Sequence, residues 1–287
     1  MPESIIDLLK FNVFDSDIEK VKYYTIYSSR PDLVLKSGQL KKQVSIFSIP
    51  EDQNKDSWKY EDFNYQFSEH GFRDGDLPKH IDIAAFGCSY TFGVGLPSNS
   101  LWHKLLTKNT NLISYNFGQP GASIGAITDT FNIVSNNVKI DKAVFLLPNY
   151  MRDLIAFEEI NKPWKKSFKL KSIMPQLPTL GYLYNDIITE EHYKYTPECE
   201  FIRKMKDAIY LLEKIASIRD IKVYISSWDH PTYELLQTMD LRYARLLKEW
   251  TWPNDETLNK DLARDSMHPG FLHHKYWIEQ VRDQVLT

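Results

Sequence analysis

Cysteine is nearly absent. The 287 residues hold two, Cys88 and Cys199, too few for a disulfide-stapled fold and without the spacing of a metal-ligand set. No charge of one sign dominates either: 35 Lys and Arg face 38 Asp and Glu, a net charge of -3. That balance gives no electrostatic reason to expect a nucleic-acid partner, which needs a concentrated basic face. The cluster Lys165, Lys166, Lys169 and Lys171 is local and reads as a solvated face. No apolar run approaches the roughly 20 residues needed to span a bilayer. The first residues, Met1 to Asp7, are acidic where a secretion signal is basic, and their apolar stretch is broken by Asp7 and Lys10. No secretion signal and no membrane span are therefore expected, and a reducing, cytoplasmic setting is. Also missing are internal repeats, low-complexity tracts and any Gly/Ser/Pro-rich linker.

What is present is ordinary in bulk: 43% hydrophobic and 25% charged residues, as in a soluble globular chain. The length suits one large domain, or one domain with an appendage. Aromatic content is high at 14%, and much of it falls in the first 80 residues. There Trp58, Tyr60, Phe63, Tyr65 and Phe67 recur nearly every second position, and residues 43–49 alternate polar with apolar. Period-two alternation marks half-buried strands. Residues 1–78 are read as a β-rich accessory segment, and 79–287 as an α/β domain.

From Ile81 the pattern becomes strands alternating with helices, which predicts a parallel sheet covered on both faces. Strands are expected at 81–86, 112–116, 143–147 and 221–226, with a fifth near 247–251. Helices are expected at 98–107 and 201–217. A third is marked by Ile124, Ile127, Phe131, Val134 and Val138 at spacings of three and four, and a last one buries Phe271, Ile278, Val281 and Val285. Residues 151–198, with prolines at 163, 175, 178 and 197, read as an irregular insertion or lid.

Ligands of such a sheet bind beyond the carboxyl ends of its strands. After the first strand comes Gly87-Cys-Ser-Tyr-Thr-Phe-Gly93, after the second Asn116-Phe-Gly-Gln-Pro-Gly-Ala-Ser123, and after the third Pro148-Asn149-Tyr150. Before the last helix lies Asp265-Ser-Met-His268-Pro-Gly270. These loops deliver a hydroxyl, a glycine N–H, a side-chain amide, and an imidazole with a carboxylate three residues earlier. An acyl-transfer site needs those parts. A serine hydroxyl requires a neighbouring base, and the base requires an acceptor to hold its tautomer. The anionic intermediate then requires fixed donors, each worth about 3–4 kcal/mol of barrier. Ser89 is the candidate nucleophile, His268 the base and Asp265 its orienter. The N–H groups of Ser89 and Gly121 and the amide of Asn149 are candidate oxyanion donors. Taken singly, each has a plainer reading: Ser89 as a turn residue, Gly121 as a helix start, Asn149 as a turn former, Asp265 as an N-cap and His268 as a surface ring. Their agreement in order favours the chemistry.

At these residues the sequence resembles the SGNH (GDSL-type) serine hydrolases. Phe86–Gly93 is similar to their first block, usually Gly-Asp-Ser-x-Thr-x-Gly. Residues 116–123 resemble the second block, with Gly121 at the oxyanion glycine. Asn149 falls at the oxyanion asparagine of the third, and Asp265–Gly270 resembles the D-x-x-H-P block. Phe67–Arg73 resembles a lead-in of some members. Cys88 replaces the usual Asp, and residues 147–150 read Leu-Pro-Asn-Tyr instead of Gly-x-Asn-Asp. The resemblance implies a flavodoxin-like three-layer α/β/α sandwich of about five parallel strands. It also implies hydrolysis of esters without metal or cofactor, with acyl transfer in some relatives.

Competing patterns fail on single residues. Val94-Gly95-Leu96 lacks the lysine of a P-loop, and position 98 is serine where a dinucleotide fingerprint needs glycine. Thr91 stands where an α/β-hydrolase elbow needs glycine. His268, His273 and His274 lack metalloprotease spacing. A non-catalytic binding protein of the same fold, or an acyltransferase or lipase, is the alternative expectation. The preferred substrate is a small acyl ester, with an O-acetylated carbohydrate favoured because Trp164, Phe168, Tyr182 and Tyr184 can stack on sugar rings.

Overall fold

The computed structural model describes residues 33–36, 39–42, 63–66, 72–119, 121–162, 165–173, 193–251, 261–263 and 268–287. In the N-terminal segment, β1 (Leu33–Lys36), β2 (Gln39–Lys42) and β3 (Phe63–Gln66) form an antiparallel sheet in that order. The alternation at 43–49 and the aromatic pair Trp58 and Tyr60 lie outside the described residues.

The α/β part is built on β4 (His80–Gly87), β5 (Ser114–Gly118), β6 (Lys139–Leu147), β9 (Lys222–Ser227) and β10 (Ala244–Leu246). All neighbours are parallel, in the order β10-β9-β6-β4-β5. Counted along the chain, this is the doubly wound 2-1-3-4-5 order. The helices are α1 (Ser89–Phe92), α2 (Trp102–Thr107), α3 (Ile124–Asn137), α4 (Glu198–Arg219), α5 (His230–Gln237) and α6 (Phe271–Leu286).

Strand side chains alternate between two cores because successive residues point to opposite faces. Ala84, Phe86, Phe145 and Val223 join Phe131 of α3 and Met205, Ile209 and Leu212 of α4. Ile83, Ala85, Val144 and Tyr224 join Trp102 and Leu106 of α2 and Trp277, Val281 and Val285 of α6. Two helices on each face make the fold a three-layer α/β/α sandwich. Phe86 stacks between Phe117 and Phe145 at 4.9 and 5.0 Å, and Phe131 meets Phe86 and Phe145 edge-on. Burying each such ring contributes about 1.5–3 kcal/mol, and this cluster lies just below the loops that carry the site.

Three expectations need correction. Residues 153–173 are not irregular: β7 (Asp153–Lys162) and β8 (Lys165–Ile173) pair antiparallel, with Pro163 and Trp164 between them. The prolines at 175 and 178 lie outside the described residues. The fifth strand is Ala244–Leu246, earlier than the 247–251 expected. Glu213, buried in α4, accepts from the N–H groups of Tyr243 and Ala244 at 2.8 and 2.9 Å and fixes where that strand enters. Helix α5 was not expected. Its start is written in Asp229-His-Pro: Asp229 caps the Thr232 N–H, and Pro231 occupies the first turn, where no donor is needed.

Candidate active site

The chain leaves β4 for β5 on one side, then crosses back to β6 on the other. The winding therefore reverses at the carboxyl end of β4, where loops on either side part and leave a crevice. Ser89 sits there, as the first residue of α1 and largely buried, its hydroxyl 3.9 Å from the Cys88 sulfur.

The turn carrying Ser89 is braced from three directions. The buried Arg73 guanidinium donates to the carbonyls of Phe92 and Gly93, each at 2.7 Å, and to that of Leu96. These carbonyls lie at and just beyond the end of α1, where helical acceptors lack partners. Asn116 on β5 donates to the Thr91 carbonyl at 2.9 Å, and its oxygen accepts from Gly118 N–H at 2.8 Å. Gly118 itself is a packing requirement, since a Cβ there would stand 2.3 Å from Phe92 N.

Behind Asn116, its side-chain nitrogen meets His103 Nε2 at 3.3 Å, and His103 Nδ1 meets Ser114 Oγ at 3.2 Å. Burial holds the His103 pKa down at about 3, so this ring is neutral and structural. Burial pushes the neighbouring Asp74 carboxyl up, but Lys104 at 3.1 Å and the Ser98 hydroxyl, which donates at 2.7 Å, help to hold it below its usual value.

The second loop turns tightly through Gly121 in the left-handed region, φ 78°, with Ala122 N–H donating to Gln119 O at 3.0 Å. Ser123 then caps α3 by accepting from Ala126 N–H. In the third loop the Asn149 oxygen accepts from Met151 N–H at 2.8 Å, and its nitrogen donates to Asp229 at 3.0 Å. Tyr150 is tied to Glu198 of α4, and Tyr193 donates to Met151 O at 2.9 Å, so this loop is anchored to its neighbours. Burial first, then the Glu198 contact, pushes the Tyr150 phenol up to about 12, so it stays a donor.

His268 is half-buried, and its ring meets Tyr90 edge-on at 5.8 Å between centroids. An antiparallel bridge between Leu262 and Pro269 closes the segment before α6, with Ala263 N–H donating to His268 O at 2.8 Å. Buried Asp261 accepts from Leu272 N–H at 2.6 Å, which secures the first turn of α6. Asp265 lies outside the described residues. Ser89, Gly121 and Asn149 thus follow three adjacent strand ends, and the His268 ring lies against the residue next to Ser89.

Against known proteins, no family model matches the sequence, and no curated protein matches it. Among solved structures, the chain is similar to a member of the lipolytic protein G-D-S-L family from Veillonella parvula, at 12% identity and a TM-score of 0.43, covering 71% of this chain and 97% of that one. It is also similar to the psychrotrophic esterase EstA from Pseudoalteromonas sp., at 11% identity and a TM-score of 0.42, covering 73% and 100% of the two chains. The acetyl xylan esterase Est2A from Butyrivibrio proteoclasticus matches at 10% identity and a TM-score of 0.42, covering 78% of this chain and 68% of that one.

Several residues at this end of the sheet escaped the sequence reading. Trp228 donates from Nε1 to the Cys88 sulfur at 3.2 Å, stacks on Tyr90 at 4.5 Å, and carries the Arg152 guanidinium 5.3 Å from its ring centre. Looking beyond the carboxyl end of the fourth strand, as for the first three, would have found Trp228 and Asp229. A cavity of about 340 Å³ opens beside the second and third loops, with Ser123, Tyr150, Arg152, Asp153, Phe201 and Lys204 in its wall. At the opposite end of β4, His80, Asp82 and Asp141 bring ligand atoms within 4.8 Å of one another, where His80 Nε2 already meets Asp141 at 2.9 Å.

Proposed function

We propose that the chain is a serine esterase of the SGNH type acting on small acyl esters. The observation that carries this reading is the placing of Ser89 at the reversal point of the sheet, one residue from the tyrosine that His268 touches. In the proposed cycle, Ser89 Oγ attacks the ester carbonyl while His268 takes its proton. Asp265 holds the imidazole in the tautomer that can do so. The tetrahedral oxyanion is met by the N–H groups of Ser89 and Gly121 and by the Asn149 amide. Collapse expels the alcohol, which receives the proton from His268. Water, deprotonated by the same ring, then attacks the acyl-serine, releasing the acid and restoring Ser89.

The cavity beside the second and third loops has a mixed lining. Asp129, Arg152, Asp153 and Lys204 share its wall with Ile124, Phe201 and Met205, and the charged side chains offer hydrogen-bond partners to substrate hydroxyl groups. An O-acetylated carbohydrate is the preferred substrate on that ground. Of the four aromatic residues expected to stack on a sugar, Trp164, Tyr182 and Tyr184 lie outside the described residues, and Phe168 falls within β8. Among the described residues, no helix is long and apolar enough to cross a membrane.

The decisive experiment is p-nitrophenyl acetate hydrolysis by the wild type, Ser89→Ala and His268→Ala, with fluorophosphonate labelling alongside. Folded Ser89→Ala is expected to lose turnover and label together, and His268→Ala to fall by 10³-fold or more, roughly the cost of removing a triad member. A folded wild type that neither turns over nor labels would overturn the esterase reading. Rates that hold or rise from acetate beyond butyrate would overturn the short-acyl preference.

A further inference from the structure

We infer that Asp229 is a positioning residue that fixes the direction in which the Asn149 amide offers its donor; what that donor does rests on the esterase reading above. A primary amide carries an acceptor at one end and two N–H groups at the other, similar in shape and opposite in use. Its neighbours decide which way it faces. Here both ends are specified. Met151 N–H requires the oxygen on its side, at 2.8 Å, and the Asp229 carboxylate requires the nitrogen on the other, at 3.0 Å. Rotating the amide by half a turn would set N–H against N–H and oxygen against carboxylate. One Nδ2 hydrogen is committed to Asp229, and amide planarity then fixes where the second points.

Asp229 is itself held from several sides. Its second oxygen accepts from Thr232 N–H at 3.0 Å and Thr232 Oγ1 at 2.7 Å, and its own N–H donates to Ser227 Oγ at 2.9 Å. Thr232 Oγ1 also accepts from Tyr150 N–H at 2.8 Å, so the first turn of α5 grips the peptide next to Asn149. The carboxylate charge is shared with these donors and with the N-terminus of α5, which limits its opposition to a second negative charge nearby. The preceding residue completes the brace. Trp228 contacts Cys88 and Tyr90, the residues on either side of Ser89, while Asp229 holds Asn149. One dipeptide at the end of β9 therefore touches both the nucleophile turn and the loop of the third oxyanion donor.

Asp229→Ser isolates this role, because serine still caps a helix but is too short to hold Thr232 and Asn149 at once. With p-nitrophenyl acetate, kcat is expected to fall about 10- to 100-fold, the scale of a misdirected oxyanion donor. KM should stay within about twofold, since the lost interaction belongs to the transition state. In an Asn149→Ala background the same change should lower kcat no further. Wild-type kcat in Asp229→Ser, or losses that multiply in the double variant, would overturn the inference.

A second readout needs no turnover. In 15N NMR, the two Asn149 amide protons should be well separated and slow to exchange in the wild type, and should move toward free-amide behaviour in Asp229→Ser. Unchanged signals would overturn the inference. Absence of turnover and label in the wild type would sink the esterase reading alone, with the amide signals still deciding the role of Asp229.

Discussion

Arg73 shows how much of the candidate site depends on residues that never approach a substrate. Its guanidinium is 1% exposed and serves three backbone carbonyls beyond Ser89. Arg73→Met would keep much of the volume and remove the charged donor from all three carbonyls, of which Gly93 O keeps its bond from Leu96 N–H. Hydrogen bonds to a charged group contribute about 1.5–3 kcal/mol each, but not additively, so a net loss of about 2–4 kcal/mol is expected. Urea denaturation read by tryptophan fluorescence checks it; a loss below about 1 kcal/mol would mean that the turn holds without the clamp. At this scale the sequence was only partly legible. Ser89, Gly121 and Asn149 stand out because they follow apolar runs in known order. Arg73, Trp228 and Asp229 act on residues 19, 140 and 80 positions away, and nothing local announces such pairings.

At the scale of elements, the buried strands and amphipathic helices were readable, and the departures have physical causes. Leu112 and Ile113 look like the start of β5, but they are 37% and 48% exposed, and the strand runs from Ser114 to Gly118. Buried Leu247 and Trp250 mimic a strand; their N–H groups do reach β9, at 2.8 and 3.0 Å, yet the ladder is made by the less buried Ala244–Leu246. In the 151–198 segment the prolines masked the alternation of Phe168 and Leu170 with Lys169 and Lys171, which is the mark of a strand. The contact between elements that matters most for the site is that of β5 with α1. Gly118→Ala would place a methyl 2.3 Å from Phe92 N and 2.7 Å from Thr91 C, backbone atoms that cannot swing aside. Either the strand end or the turn carrying Ser89 must shift. A loss of about 1–3 kcal/mol is expected from the overpacking. Fluorophosphonate labelling of Ser89 should slow by about tenfold or more if the turn is what moves.

At the scale of the whole molecule, the doubly wound order brings four loops to one end of the sheet and leaves the layers between helices and sheet to supply stability. Part of that stability depends on histidines kept neutral by burial. His103 is wholly buried with its pKa near 3, and wholly buried His274 lies well below its ordinary value, with burial the first cause in both. Each makes structural contacts as a neutral ring: His103 with Ser114 and Asn116, and His274 by accepting at Nδ1 from Trp102 N–H at 3.1 Å, the first residue of α2. In the unfolded chain both titrate near 6.5. Between the folded and unfolded values the unfolded state binds more protons, so stability rises with pH through that interval. Their contribution is complete above about pH 6.5 and is lost as pH falls toward the folded values, each ring adding up to about 1.4 kcal/mol per pH unit. Thermal melts between pH 7.5 and 5 should therefore show a falling Tm, and His103→Gln should flatten the slope even where it lowers stability at neutral pH. Because both rings lie in the layer beneath α2 and α6, they act on the global transition. An unchanged slope in His103→Gln and His274→Asn alike would assign the acid sensitivity to other groups.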